Sequence, residues 1–174
     1  MSIPWAWFFL ILATYPWLFV ADLVSSTLAS SGLNYFITGA ALIAPCRRLK
    51  RWQAVLFAGC VGFMFEAYRP IPNGTVAITL VTLAILLGNY RSYLRTSLGT
   101  IQAAVVVNAV AAIIWFAATA YQSDAPSDIY NTIYQAAIQG TLSGLMGFVI
   151  IMPLATTQNW IIDLIGVPSA QDLL

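Results

Sequence analysis

Histidine is absent from the 174 residues, and charge is scarce, with Asp, Glu, Lys and Arg making up 7% of the chain. Without histidine the commonest proton shuttle and metal ligand is missing, and a serine or cysteine nucleophile has no imidazole base. The two cysteines, Cys46 and Cys60, form no CxxC pair, which argues against a metal or redox site. No glycine-rich nucleotide loop occurs. Asp22, Asp124, Asp128, Asp163 and Asp172 fall at span ends, in loops or in the tail. Glu66 is left as a lone acid in an apolar run, too little for a proton relay. A net charge of +1 offers no basic surface suited to nucleic acid. These absences predict a protein that is not an enzyme and needs no cofactor or metal. The N-terminal residues Met1 to Trp7 also lack a positive leader and a small-residue cleavage site, so a retained first span is expected rather than a removable signal peptide.

What the chain has is apolar surface: 60% of its residues are hydrophobic and the mean hydropathy is +0.84. Soluble domains carry about 25% charged residues, so lipid rather than water is the expected solvent. The runs are apolar all round, without the alternation of a membrane strand. At roughly 20 residues per span, the length predicts an all-α integral membrane protein with about six transmembrane helices in one bundle. The expected spans lie near 4–23, 28–45, 52–68, 75–87, 98–121 and 129–154. Residues 1–154 thus form the transmembrane domain. Residues 155–174 are expected to be a short cytoplasmic tail, with 160–165 along the interface.

Orientation follows from the few cations. Arg47, Arg48, Lys50 and Arg51 crowd between the second and third spans, and Arg91 and Arg95 lie between the fourth and fifth. Lys and Arg in short loops stay cytoplasmic, so both loops and both termini are expected there. Trp5 and Trp7 suit the headgroup layer.

Several residues are candidates for contacts. Glu66 reads either as a buried acid awaiting a cation or a partner's basic group, or as an interfacial pair with Arg69 that closes a helix end. Gln102 and Asn108 on the fifth span, with Gln135 and Gln139 on the sixth, read as a polar pocket or as amides satisfying each other across a helix pair. Gly59 and Gly62 on the third span are small contact positions. Gly140, Ser143, Gly144 and Gly147 on the sixth follow small-xxx-small spacing, which lets helix backbones approach closely, within the chain or against another subunit.

The middle of the chain resembles the MreD family of rod-shape-determining bacterial membrane proteins. The resemblance rests on the basic hinge Arg47-Arg48-Leu49-Lys50-Arg51-Trp52, the following span from Ala58 to Tyr68, and the loop Arg69-Pro70-Ile71-Pro72-Asn73-Gly74. Glu66 takes the place of the family's aspartate, four residues after Gly62, and Gln139-Gly140 is similar to a polar-glycine step in the family's last span. The resemblance implies a non-enzymatic scaffold subunit of the cell-wall elongation machinery, multi-pass in the bacterial cytoplasmic (inner) membrane. It implies lipid, an MreC-like protein and other integral membrane subunits as partners. The implied bundle is similar to the substrate-binding subunits of energy-coupling-factor transporters. A small-solute-binding transporter subunit is therefore the alternative, with an accessory subunit of another large membrane complex behind it.

Overall fold

A computed structural model of the chain describes residues 4–28, 36–67, 74–122 and 129–167. Among them the protein is all-helical, with no strand. The α-helices are α1 (Ala6–Leu28), α2 (Ile43–Arg48), α3 (Arg51–Glu66), α4 (Thr75–Asn89), α5 (Ser97–Gln122) and α6 (Ile129–Leu164), with 3-10 turns at Ala40–Leu42 and Tyr93–Arg95. Two of them, α1 and α5, are long and apolar enough to cross a membrane. The 16-residue α3 and 15-residue α4 rise about 24 and 22 Å, less than the roughly 30 Å of a hydrocarbon core.

The two most extensive helix pairs are hairpins: α3 lies along α4, and α5 along α6, while α1 bridges α3 and α6. Glycine sets how closely each hairpin closes. A Cβ on Gly62 would stand 2.4 Å from the Ala77 Cα in α4, and one on Gly140 would stand 2.9 Å from the Ile113 nitrogen in α5. Both are backbone atoms, which cannot swing aside as a side chain can. Gly140, at least, therefore serves packing inside the chain. Gly59 is less constrained, because its Cβ would meet the Val81 side chain at an ordinary 3.7 Å. The surroundings of Ser143, Gly144 and Gly147 lie outside the described side chains. Gly62→Ala or Gly140→Ala is expected to cost about 1–3 kcal/mol, read as a lower thermal midpoint, whereas Gly59→Ala should be nearly neutral.

The second expected span is where the structure departs from the sequence reading. In place of a continuous helix over 28–45, its described part is a coil at 36–39, the 3-10 turn and the six-residue α2. Every residue from 36 to 46 is buried, so this irregular strand of chain fills the middle of the bundle. Pro45 lies in the first turn of α2, where no intrahelical N–H is needed. The N–H of Leu49 closes the element on the Pro45 carbonyl at 2.8 Å.

The last helix also runs further than expected. The division expected between residues 154 and 155 falls inside α6, which continues through Pro153 to Leu164. It ends in a Schellman motif: the Val167 N–H donates to the Ile162 carbonyl (3.2 Å) and the Gly166 N–H to the Asp163 carbonyl (3.0 Å). Gly166 supplies the left-handed φ of 73° that this stop requires. Ile162 and Val167 both bury in the main core, so residues 155–167 belong to the bundle.

Candidate functional site

Three polar constellations sit in or at the ends of the bundle, and each can be traced from the residues upward. The first holds the buried segment 36–46. Breaking a helix there leaves backbone groups without partners, and burying them unpaired costs about 1–3 kcal/mol each. Asn108 of α5 meets two of them. Its Nδ2 donates to the Phe36 carbonyl at 2.6 Å, and its Oδ1 accepts from the Ala40 N–H at 3.3 Å. Gln158 of α6 meets another, its Nε2 donating to the Ala41 carbonyl (3.1 Å) and to Thr14 Oγ1 of α1 (2.9 Å). Thr14 in turn donates to the Leu10 carbonyl at 2.7 Å. Gly39 lets the segment come this close, since a Cβ there would stand 2.6 Å from the Asn108 Cα. Its φ of −64° is ordinary, so space rather than backbone conformation demands glycine. At the start of the segment Phe36 stacks on Trp115 at 5.7 Å and meets Phe65 edge-on at 5.2 Å.

The second constellation is Glu66, at the far end of α3. Its side chain is 2% exposed, and its carboxylate faces the start of α4 rather than solvent. The Gly74 N–H donates to Oε2 at 2.6 Å, the Ala77 N–H donates to Oε1 at 3.2 Å, and the Val76 N–H also donates to Oε1. The first N–H groups of a helix have no partner within it and carry the positive end of its dipole. A carboxylate from the preceding helix satisfies both needs. Gly74, the residue before α4, has a φ of 100°, a left-handed conformation that favours glycine. Arg69, the expected ion-pair partner of Glu66, lies outside the described residues.

The third constellation gathers the cations at the opposite end of the bundle. Arg48 pairs with Asp163 at 2.6 Å and donates to the Val167 carbonyl at 3.1 Å, which ties the basic hinge to the end of α6. Arg91, just past α4, donates from Nη2 to the Leu49 carbonyl. The stem of Arg51 passes Gly88, with its Cγ 3.7 Å from where a Cβ would lie. Burial lowers the pKa of Arg91; the nearby Cys46 opposes that shift and the Arg51 charge adds to it. Arginine nonetheless stays cationic in proteins. The same end receives the start of α1, where Gln53 Nε2 donates to the Pro4 carbonyl at 3.3 Å.

Three of the candidate pocket residues, Glu66, Gln102 and Asn108, have described side chains, and these three do not converge. Asn108 is committed to the 36–40 backbone, Glu66 to the start of α4, and the exposed Gln102 to the Tyr93 hydroxyl, which donates to its Oε1. The side chains of Gln135, Gln139 and Arg95 lie outside the described set. Gln158 and Asp163 are contact residues that the sequence does not single out, because both fall in the expected tail. Gly166 followed by Pro168 is the helix-stop signal that would have placed them on a helix. Among the described residues of α6, Tyr130, Ile133, Tyr134 and Ala137 line a shallow apolar groove, and Leu142, Leu145 and Val149 extend the exposed face.

Comparison of the chain with protein-family models, curated proteins and solved structures returns no match to any of them.

Proposed function

We propose that this chain is a non-enzymatic, MreD-like scaffold subunit of the bacterial cytoplasmic membrane that docks other membrane proteins of the cell-wall elongation machinery. One observation carries the reading. The buried polar side chains Glu66, Asn108 and Gln158 hydrogen-bond the bundle's own backbone, while its helices present broad apolar faces outward. A solute-binding subunit needs polar groups that converge on a shared space; Glu66, Gln102 and Asn108 point to three separate places, which favours docking over solute binding.

In this reading the bundle crosses the membrane several times, with its basic end and both termini in the cytoplasm. The segment 36–48 takes the place of a second spanning helix. Irregular backbone is tolerated at membrane depth only where protein covers it, and the uninterrupted burial of residues 36–46 meets that condition.

Affinity purification from mild detergent, followed by mass spectrometry, tests the assignment. Recovery of an MreC-like protein together with peptidoglycan synthases is expected. A strictly monomeric species that recovers neither would reject it. Orientation is checked separately by cysteine labelling: a cysteine at Arg47 should react only from the cytoplasmic side, and one at Asn73 only from outside.

A further inference from the structure

We propose that the basic cluster of Arg51 and Arg91, with Arg47 and Lys50 on the adjoining turn, seats the phosphate of an anionic phospholipid headgroup. The four come from two places in the chain, the turn between α2 and α3 and the residues just beyond α4. The stem of Arg51 against Gly88, and the bond from Arg91 to the Leu49 carbonyl, bring these two places together. Arg48, the remaining cation of the hinge, is already matched by Asp163. No carboxylate pairs with Arg47, Lys50, Arg51 or Arg91 among the described residues.

This arrangement is costly without an anion. The Nε atoms of Arg47, Arg48 and Arg91 are all buried without a hydrogen-bond partner; Arg48 has Asp163 as its counter-charge, whereas Arg47 and Arg91 have lost part of their hydration with no carboxylate beside them among the described residues. Arg51 and Arg91 are also near enough for their charges to oppose one another. A phosphate laid on the outer edges of these groups would supply charge-assisted, geometrically matched hydrogen bonds. The surroundings favour a lipid as its carrier. Trp52, Tyr90 and Tyr93 are each at least half exposed around the same end, and such rings settle at headgroup level. Basic pockets between helices on the cytoplasmic side are a recognised seat for anionic headgroups. The inference rests on the proposed membrane placement with the basic end cytoplasmic, but not on partner docking, so lipid binding and docking can each fail without the other.

The test uses the purified full-length chain in neutral detergent, with its thermal midpoint followed during titration with phosphatidylglycerol, phosphatidylcholine or inorganic phosphate. Phosphatidylglycerol is expected to raise the midpoint more than phosphatidylcholine does. Arg47→Gln and Arg51→Gln should each weaken the apparent affinity for phosphatidylglycerol about fivefold, with far-UV circular dichroism unchanged. Arg51→Lys should lose less, and Arg69→Gln, outside the hinge, should lose nothing. Equal stabilisation by the two lipids would overturn the proposal, as would undiminished phosphatidylglycerol affinity in the Arg47→Gln/Arg51→Gln double variant. Full stabilisation by inorganic phosphate alone would overturn the lipid assignment in favour of a free-phosphate site. Should the glutamine variants fail to fold, the comparison of the two lipids on the unaltered protein decides.

Discussion

Glu66→Leu is expected to be among the most damaging single substitutions in this chain, lowering stability by about 3 kcal/mol or more. The carboxylate accepts from three backbone N–H groups at the start of α4. Leucine would leave all three buried with no acceptor and remove the negative charge that faces the helix dipole. Glu66→Gln should fall between, because one oxygen still accepts while the amide turns donors towards donors, at about 1–2 kcal/mol. Glu66→Asp keeps the charge but shortens the reach by one methylene, so it should also destabilise. Chemical-denaturation midpoints in detergent measure all three. The same series separates two roles for the residue. A helix cap loses stability in the order Leu, then Gln, whereas a contact reserved for a partner would lose docking in Glu66→Gln with the denaturation midpoint unchanged.

How far the fold can be read from sequence depends on how local the cause is. The all-helical class follows from runs that are apolar on every side, and the crowding of cations in short loops anticipates their gathering at one end of the bundle. Gly62 and Gly140 were visible as small residues at helical spacing, although only the structure assigns them to α4 and α5. The buried segment was not visible. The expected second span is short and carries Asn34, Thr38 and Gly39, which suits a helix packed against protein rather than lipid but does not predict a break. What permits a break there lies elsewhere: Asn108 bonds to residues 68 and 72 positions away, and Gln158 to residues 117 and 144 positions away. A polar side chain in an apolar helix signals a partner but does not name it. The Glu66 role was half legible. Its place at the end of α3 before a Pro/Gly loop suggested that it closes a helix, but the helix it closes is the next one, reached only once the chain has turned.

Asn108→Leu should be as damaging as any change in the interior, because it removes both of the hydrogen bonds that Asn108 makes to the break while keeping the branched shape of the side chain. The Phe36 carbonyl and the Ala40 N–H would then be buried without partners, for a combined cost of about 2–6 kcal/mol. Asn108→Asp separates the two halves of the clamp. It retains an acceptor for Ala40, loses the donor to Phe36 and adds an unpaired charge in the core, so it should be at least as severe. Gly39→Ala attacks the same junction from the other side. A Cβ 2.6 Å from the Asn108 Cα and 2.7 Å from the Val107 carbonyl oxygen forces the segment and α5 apart, which should lengthen both amide bonds even with Asn108 intact. Hydrogen exchange reports this directly. The Ala40 and Ala41 amides should exchange much faster in both Asn108→Leu and Gly39→Ala, while amides in the middle of α4 change little. Unchanged protection at Ala40 in Asn108→Leu would mean that packing alone holds the segment, with the Asn108 clamp adding nothing to it.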